Sequence, residues 1–425
     1  MNQSKTDAGM LLTTGGYFGT LAAARCLGRR GLPVYLADAD TRSPTAMSRY
    51  VTKFLETPAG ERLERFGQSL LRLGDEAHGA VLYPTSDDMA WVMARRRHEL
   101  SQKFKMYQPS CEVIHSLLNK KILYQTAAEL GIDVPHSHYP RSFEEIEALK
   151  DVVTYPVIVK PKTQIGMSVP VKALVCQDAA ELLHNAKRVI ESFPYLDEML
   201  EYNPDIKWPM VQAFHPEAAS ETYSLGGFVT ENATEIVVRG AKKVLQQPIR
   251  VGVGMAFESR PVNDDLRDQI VRLCRKVGYY GVFEAEFIHV AATDKYLLID
   301  FNPRFYGQMG FEIARGMPLP LLVHHAATGR RAELSKEIAA ANDWDHAVVH
   351  KYVFGFMMRT LLTTQWLSGR ISGAFRRRWL TWSKGVNVYD AVHAQDDQAP
   401  HRAYLLSILR GALRHPRSSF YHFFR

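Results

Sequence analysis

Two runs past the middle of the chain, GVFEAEFIHV (281–290) and KYLLIDFNPR (295–304), decide the reading. Both are dominated by aliphatic and aromatic residues, and a polar turn at Thr293-Asp294-Lys295 separates them, so they read as adjacent strands. Side chains alternate along a strand: within EAEF residues 284 and 286 share a face, and within IDFNPR residues 300, 302 and 304 share a face. One hairpin surface therefore gathers Glu286, Asp300, Asn302 and Arg304. Carboxylates among Val, Phe, Leu and Ile are costly to bury unless a metal or partner neutralises them. Two carboxylates and an amide oxygen are hard ligands suited to Mg²⁺, which commonly bridges protein oxygens to phosphates. Arg304 adds a fixed cation for a transferring phosphoryl group. The cluster points to a metal–nucleotide site; an ordinary ion pair at a sheet end is the alternative.

Upstream lysines suit such a site. In YPVIVKP (155–161), Lys160 emerges at the end of an apolar strand. The loop that follows, with Gly166 and Ser168, can present N–H groups to phosphates, although it is not a GxxxxGK[ST] loop. Lys120, and Lys242 or Lys243, can add charge. Each lysine alone also suits a solvated surface; their order around the hairpin links them. Nearer the start, MLLTT (10–14), GGYFG (15–19), a helix closed by Gly31 and PVYLAD (33–38) form a βαβ pattern. AVLYP (80–84), the loop Thr85 to Asp88 and a helix from about Met89 to Leu100 continue it into a parallel, doubly wound sheet. The glycines are spaced GGxxG, not GxGxxG. They fit a tight turn with close helix packing, a small-substrate contact, or a dinucleotide site with Asp38 on the ribose.

A chain of 425 residues, 46% apolar and 23% charged, is long enough for several cores, which excludes collagen-like and disordered classes. Four dispersed cysteines without a CxxC pair exclude a disulfide scaffold and a zinc ribbon and favour a reducing compartment. With no charged-then-apolar start and no long uncharged apolar run, the expected location is the cytoplasm. The net charge of +7 is localised: Lys336 to Arg425 holds 13 Lys/Arg against 6 Asp/Glu, and the preceding residues carry 39 of each sign. A nucleic-acid binder would not confine its charge in this way. The run KYVFGFMMRTLLTTQWLSGRISGAFRRRWLTW (351–382) can pack its apolar face on the rest of the protein. It can equally lie on an anionic membrane surface or an acidic partner. The final SSFYHFFR (418–425) reads as a candidate interfacial anchor.

Six stretches, NKKILYQTAAELGIDVP, YPVIVKP, MVQAFHP, RGAKKVLQQP, GYYGVFEAEF and LIDFNPR, resemble the ATP-grasp superfamily of carboxylate–amine ligases, relatives of biotin carboxylase and carbamoyl-phosphate synthase. The resemblance spans roughly residues 10–335. It implies an α/β and α+β chain: a Rossmann-like pre-ATP-grasp domain (1–115), an ATP-grasp domain (116–335, with subdomains 116–205 and 206–335) and a basic extension (336–425). It implies ATP and two Mg²⁺ ions as cofactors, with a small carboxylate and an amine as substrates. By the resemblance, Lys120 and Lys160 contact ATP phosphates and the loop of Gly166 and Ser168 closes over them. Gln212, Ala213 and Phe214 meet the adenine through backbone, Glu221 contacts the ribose, and Lys242 and Lys243 face the nucleotide. Glu286, Asp300 and Asn302 bind the metal, and Arg304, with Lys160 and Lys243, serves catalysis. Asp300 departs from the glutamate usual there. Substrate contacts are expected among Asp87, Asp88, Arg239, Arg260, Arg315 and Tyr306. A kinase that stops at phosphoryl transfer and a nucleotide-binding scaffold remain rival readings, and the oligomeric state stays open.

Overall fold

A computed structural model describes residues 8–58, 63–77, 79–167, 173–192, 194–247, 252–345 and 347–414. Ser168 and the 418–425 run lie outside them. The described chain is mixed α/β and builds three sheets.

The first sheet holds β1 (Met10–Thr13), β2 (Val34–Asp38), β3 (Lys53–Glu56), β4 (Val81–Leu82) and β5 (Lys105–Met106). All are parallel, in the order β3-β2-β1-β4-β5. The glycine turn leads into the helix Phe18–Gly28, whose run of small residues lets it lie close to its neighbours. A Cβ on Gly19 would stand 2.4 Å from the Tyr306 carbonyl oxygen, so this position needs glycine for close approach. Asp38 Oδ2 accepts the Gly15 N–H at 2.6 Å. That carboxylate therefore braces the turn, which answers the dinucleotide reading of Asp38.

The second sheet is antiparallel, with β6 (Ser137–His138), β7 (Val157–Lys160), β8 (Leu174–Cys176) and β9 (Met210–Ala213) in the order β6-β9-β7-β8. The third is built from β10 (Thr222–Val229), β11 (Ile236–Gln247), β12 (Val253–Arg260), β13 (Gly281–Val290), β14 (Lys295–Asn302), β15 (Lys351–Val353) and β16 (Val388–Asp390). Its order is β14-β13-β10-β11-β12-β15-β16. Strand β10 lies between β13 and β11 with all eight residues buried, Thr222 and Ser224 included.

The last ninety residues are less separate than their charge suggests. Strands β15 and β16 extend the third sheet from β12. Beyond them, Asp397 forms a buried ion pair with Arg25 at 2.9 Å and accepts from Ser48 Oγ at 2.7 Å, tying this region to the first helix. The packing reading of 351–382 is the one the coordinates support: Met358, Leu361, Leu362 and Trp379 join a core with Leu245 and Met255. Among the described residues, no helix is long and apolar enough to cross a membrane.

Candidate active site

The hairpin pairs as the alternation requires. Glu284 lies opposite Asn302 and Glu286 opposite Asp300, with a register irregularity after Glu286. Their side chains line a cleft of about 560 Å³ between the second and third sheets, which the Gly16–Phe18 turn also borders.

Each charged group is placed by its own local structure. Asn119 caps the helix Lys120–Glu129 by accepting the Lys121 N–H at 3.1 Å, which sets Lys120 in the first turn. From there its Nζ reaches Asp300 Oδ1 at 2.6 Å. Lys160 ends β7, and its buried Nζ donates to the Tyr124 hydroxyl at 3.2 Å. Burial, with Lys120 nearby, pushes its pKa down to about 7 against the opposing pull of Asp300. Lys243 on β11 pairs with Glu286 at 3.8 Å. Arg304 donates through Nε to Asp87 Oδ1 and through Nη2 to Asn302 Oδ1 at 2.9 Å. Asp87 opens the helix Asp87–Arg95, capped by Ser86, and so brings the first sheet's chain to the cleft.

Four further contributors were not singled out from the sequence. Glu284 is buried, accepts from Gln308 Nε2 and Asn302 Nδ2, and burial next to Glu286 raises its pKa well above the usual carboxylate value. It shares the Glu286 face by simple alternation, which was the available signal. Ile158, Ile288 and Ile299 also line the cleft. They are apolar residues that a flat ring can lie against, and nothing in a hydrophobic strand marks them in advance.

Several expected residues stand elsewhere. Lys242 and Glu221 pair with each other at 2.7 Å, and both line a separate groove with Arg260, His289 and Tyr296. Neighbours on a strand face opposite ways, so Lys243 reaches the cleft and Lys242 cannot. Gly166 packs on Met199 and donates its N–H to Asp88 Oδ1 at 2.9 Å, away from the cleft lining. Gln212, Ala213 and Phe214 do line it, but the N–H groups of Ala213 and Phe214 already donate to the His136 and Pro156 carbonyls. Of the substrate candidates, Asp87 and Tyr306 reach the cleft. Arg239 and Arg315 are buried and serve backbone carbonyls instead, Arg239 those of Arg315 and Ala341, Arg315 that of Gly240.

The biotin carboxylase domain of a Hydrogenobacter thermophilus 2-oxoglutarate carboxylase, solved with MgADP and bicarbonate, superposes with TM-score 0.59 at 13% identity, over 75% of this chain and 69% of that one. An L-amino acid ligase from Bacillus licheniformis gives TM-score 0.59 at 12% identity, over 82% and 80% of the two chains. An N5-carboxyaminoimidazole synthetase from Staphylococcus aureus gives 0.57 at 15% identity, over 77% and 80%. The chain has the ATP-grasp fold. In sequence, it is 24% identical over 287 residues to the carbamoyl phosphate synthase large chain of Xylella fastidiosa, covering 65% of this chain. It spans only 23% of that relative's length. No family model matches.

The ATP-grasp reading asks whether these residues suit a magnesium nucleotide. Among the described residues, no three carboxylate, imidazole or thiolate groups converge to ligate one ion by themselves. Glu286 and Asp300 nonetheless face each other across the hairpin as hard oxygen donors, each held by a lysine. Mg²⁺ keeps few protein ligands and completes its shell with phosphate oxygens and water, so the donor set fits.

Proposed function

We propose that the protein is an ATP- and Mg²⁺-dependent ligase that activates a small carboxylate as an acyl phosphate and joins it to an amine, releasing ADP and phosphate. The observation that carries this reading is the placement of Glu286 opposite Asp300 in a cleft also lined by Lys120, Lys160 and Lys243. Glu286 and Asp300, with Asn302, would hold the metal, which when bound neutralises phosphate charge. Lys160 and Lys120 would bind the nucleotide's phosphates. Ile158, Ile288 and Ile299 would flank its base. Arg304 is oriented by Asp87 and Asn302 toward developing negative charge, so its position needs no reorganisation during the reaction. Phosphoryl transfer demands mainly positioning and charge neutralisation, which these residues supply.

On this reading residues 1–115, 116–205 and 206–335 are successive units of the enzyme, and the described part of the 336–425 extension packs on the last. The four cysteines, all buried and unpaired, suit a cytoplasmic setting.

Incubation with ATP, Mg²⁺ and a matrix of acids and amines tests the proposal. ADP release that requires both an acid and an amine, with an amide product, is the expected result. A stable phosphorylated product would select a kinase, AMP formation would contradict the acyl-phosphate route, and tight ATP binding without turnover would favour a scaffold.

A further inference from the structure

Apart from the isoleucines that would flank a base, the cleft has two chemically different parts. Its charged part is formed by the hairpin and by Arg304 with Asp87. Its other part is apolar, and Phe18, Phe257, Phe354 and Met357 build it. The rings of Phe18 and Phe354 stand 4.8 Å apart, and those of Phe354 and Phe257 stand 6.4 Å apart, so three separate stretches of chain meet here. Phe354 is fixed by donating its N–H to the Met255 carbonyl at 3.0 Å, directly after β15. Met357 follows in the helix Gly355–Leu367. Two of the four residues thus come from the last ninety residues of the chain.

The two parts adjoin. Tyr17, next to Phe18, lies within the electrostatic reach of both Arg304 and Asp87. The cleft is open at two glycines that line it: a Cβ on Gly16 or on Gly307 would meet no atom within 4 Å. A triphosphate and its metal have no use for an aromatic and thioether wall. A molecule with a carboxylate at one end and an apolar body at the other matches both parts.

We infer that the carboxylate substrate bears an aromatic or branched aliphatic side chain, which seats against Phe18, Phe354 and Met357. The inference rests on the ligase reading for its carboxylate, and it gives the 351–382 region a part in substrate choice. Burying methylenes in such a wall discriminates by roughly ten- to two-hundredfold, whereas a polar side chain would lose its hydration there without gaining partners.

Calorimetric titration of the full-length protein tests this, with leucine, phenylalanine and 3-phenylpropionate against asparagine and succinate, each with and without a non-hydrolysable Mg-ATP analogue. The apolar acids should bind at least about tenfold more tightly than the polar ones. Met357→Gln and Phe18→Leu should each shrink that ratio several-fold while the analogue's own affinity stays the same. Equal or reversed preference, absence of apolar-acid binding under both conditions, or ratios unchanged in both variants would overturn it. If polar acids alone drive ADP release, the ligase reading survives and this inference fails. If the analogue does not bind but apolar acids still do, the ligase reading fails and the apolar subsite stands.

Discussion

At the scale of single residues, the cleft is a balance of charges that the protein alone only partly settles. Asp300 and Glu286 pair with Lys120 and Lys243 but are part-exposed in an open cleft, where water can replace a lost partner, so removing either carboxylate should spare the fold while disturbing nucleotide binding. Glu286→Gln and Asp300→Asn are expected to lower turnover by about a hundredfold or more, as losses of transition-state charge stabilisation do. Thermal melts should show an unchanged apo transition and a smaller Mg-ATP stabilisation. Unchanged rates together with unchanged stabilisation would contradict the assignment. Lys160 gives a pH signature. Its pKa of about 7 means that the free amine gains population as pH rises past that value. Phosphate binding favours the charged form, so binding takes up a proton and nucleotide affinity should weaken from about pH 7 to about pH 8.5. Lys160→Arg keeps a permanent cation and should flatten this slope relative to wild type. The same slope in both proteins would show that another group titrates.

At the scale of elements, the hairpin was legible because both runs are apolar, their polar residues are spaced by two and the turn between them is polar. Strands β1, β2, β4, β7, β13 and β14 all stand near where apolar runs place them. Strands β3 and β5 were not, since KFLE and KM are short and largely exposed, with too little pattern to read. Strand β12 escaped because its sequence VGMAFESR mixes both characters, and β15 and β16 because they are three residues each and pair only through tertiary contact. The facing of β11 explains the site residues that were misplaced: a sequence supplies two adjacent lysines, and only the register shows that Lys243 turns inward. The loop glycine Gly166 was placed by glycine content, whereas its left-handed backbone (φ +66°) and its bond to Asp88 belong to packing. Of the three readings left open for the early glycine turn, close packing is what Gly19 shows, and Gly16 stands in the cleft lining. Gly19→Ala should therefore destabilise the protein by about 1–3 kcal/mol through overpacking against the Tyr306 carbonyl, measured by urea unfolding. A loss within error would show that the helix can shift away freely.

At the scale of the whole molecule, composition located the basic residues but could not say what they rest on. The answer lies in contacts distant along the chain. The Arg25–Asp397 pair is buried, and Asp397 also accepts the Arg49 N–H at 3.0 Å. Breaking one partner of a buried pair strands the other, so Asp397→Ala should cost about 3–5 kcal/mol. Chemical denaturation checks this, and a loss below about 1 kcal/mol would mean that the pair is solvated in practice. Truncation after residue 345 removes β15 and β16 and uncovers the edge of β12. The shortened chain should aggregate, since an uncovered edge is a template for pairing. A stable, monodisperse truncation product that no longer sediments with anionic liposomes, where the full chain does, would instead restore the membrane-surface reading.

Whether one hairpin and three lysines hold a magnesium nucleotide is decided by calorimetric titration of ATP into the full-length protein, with and without Mg²⁺. One nucleotide should bind per chain, at least about tenfold more tightly with Mg²⁺ present, and that Mg²⁺ dependence should be lost in Glu286→Gln. ATP binding of equal strength in the presence and absence of Mg²⁺, or no binding at all, would contradict it.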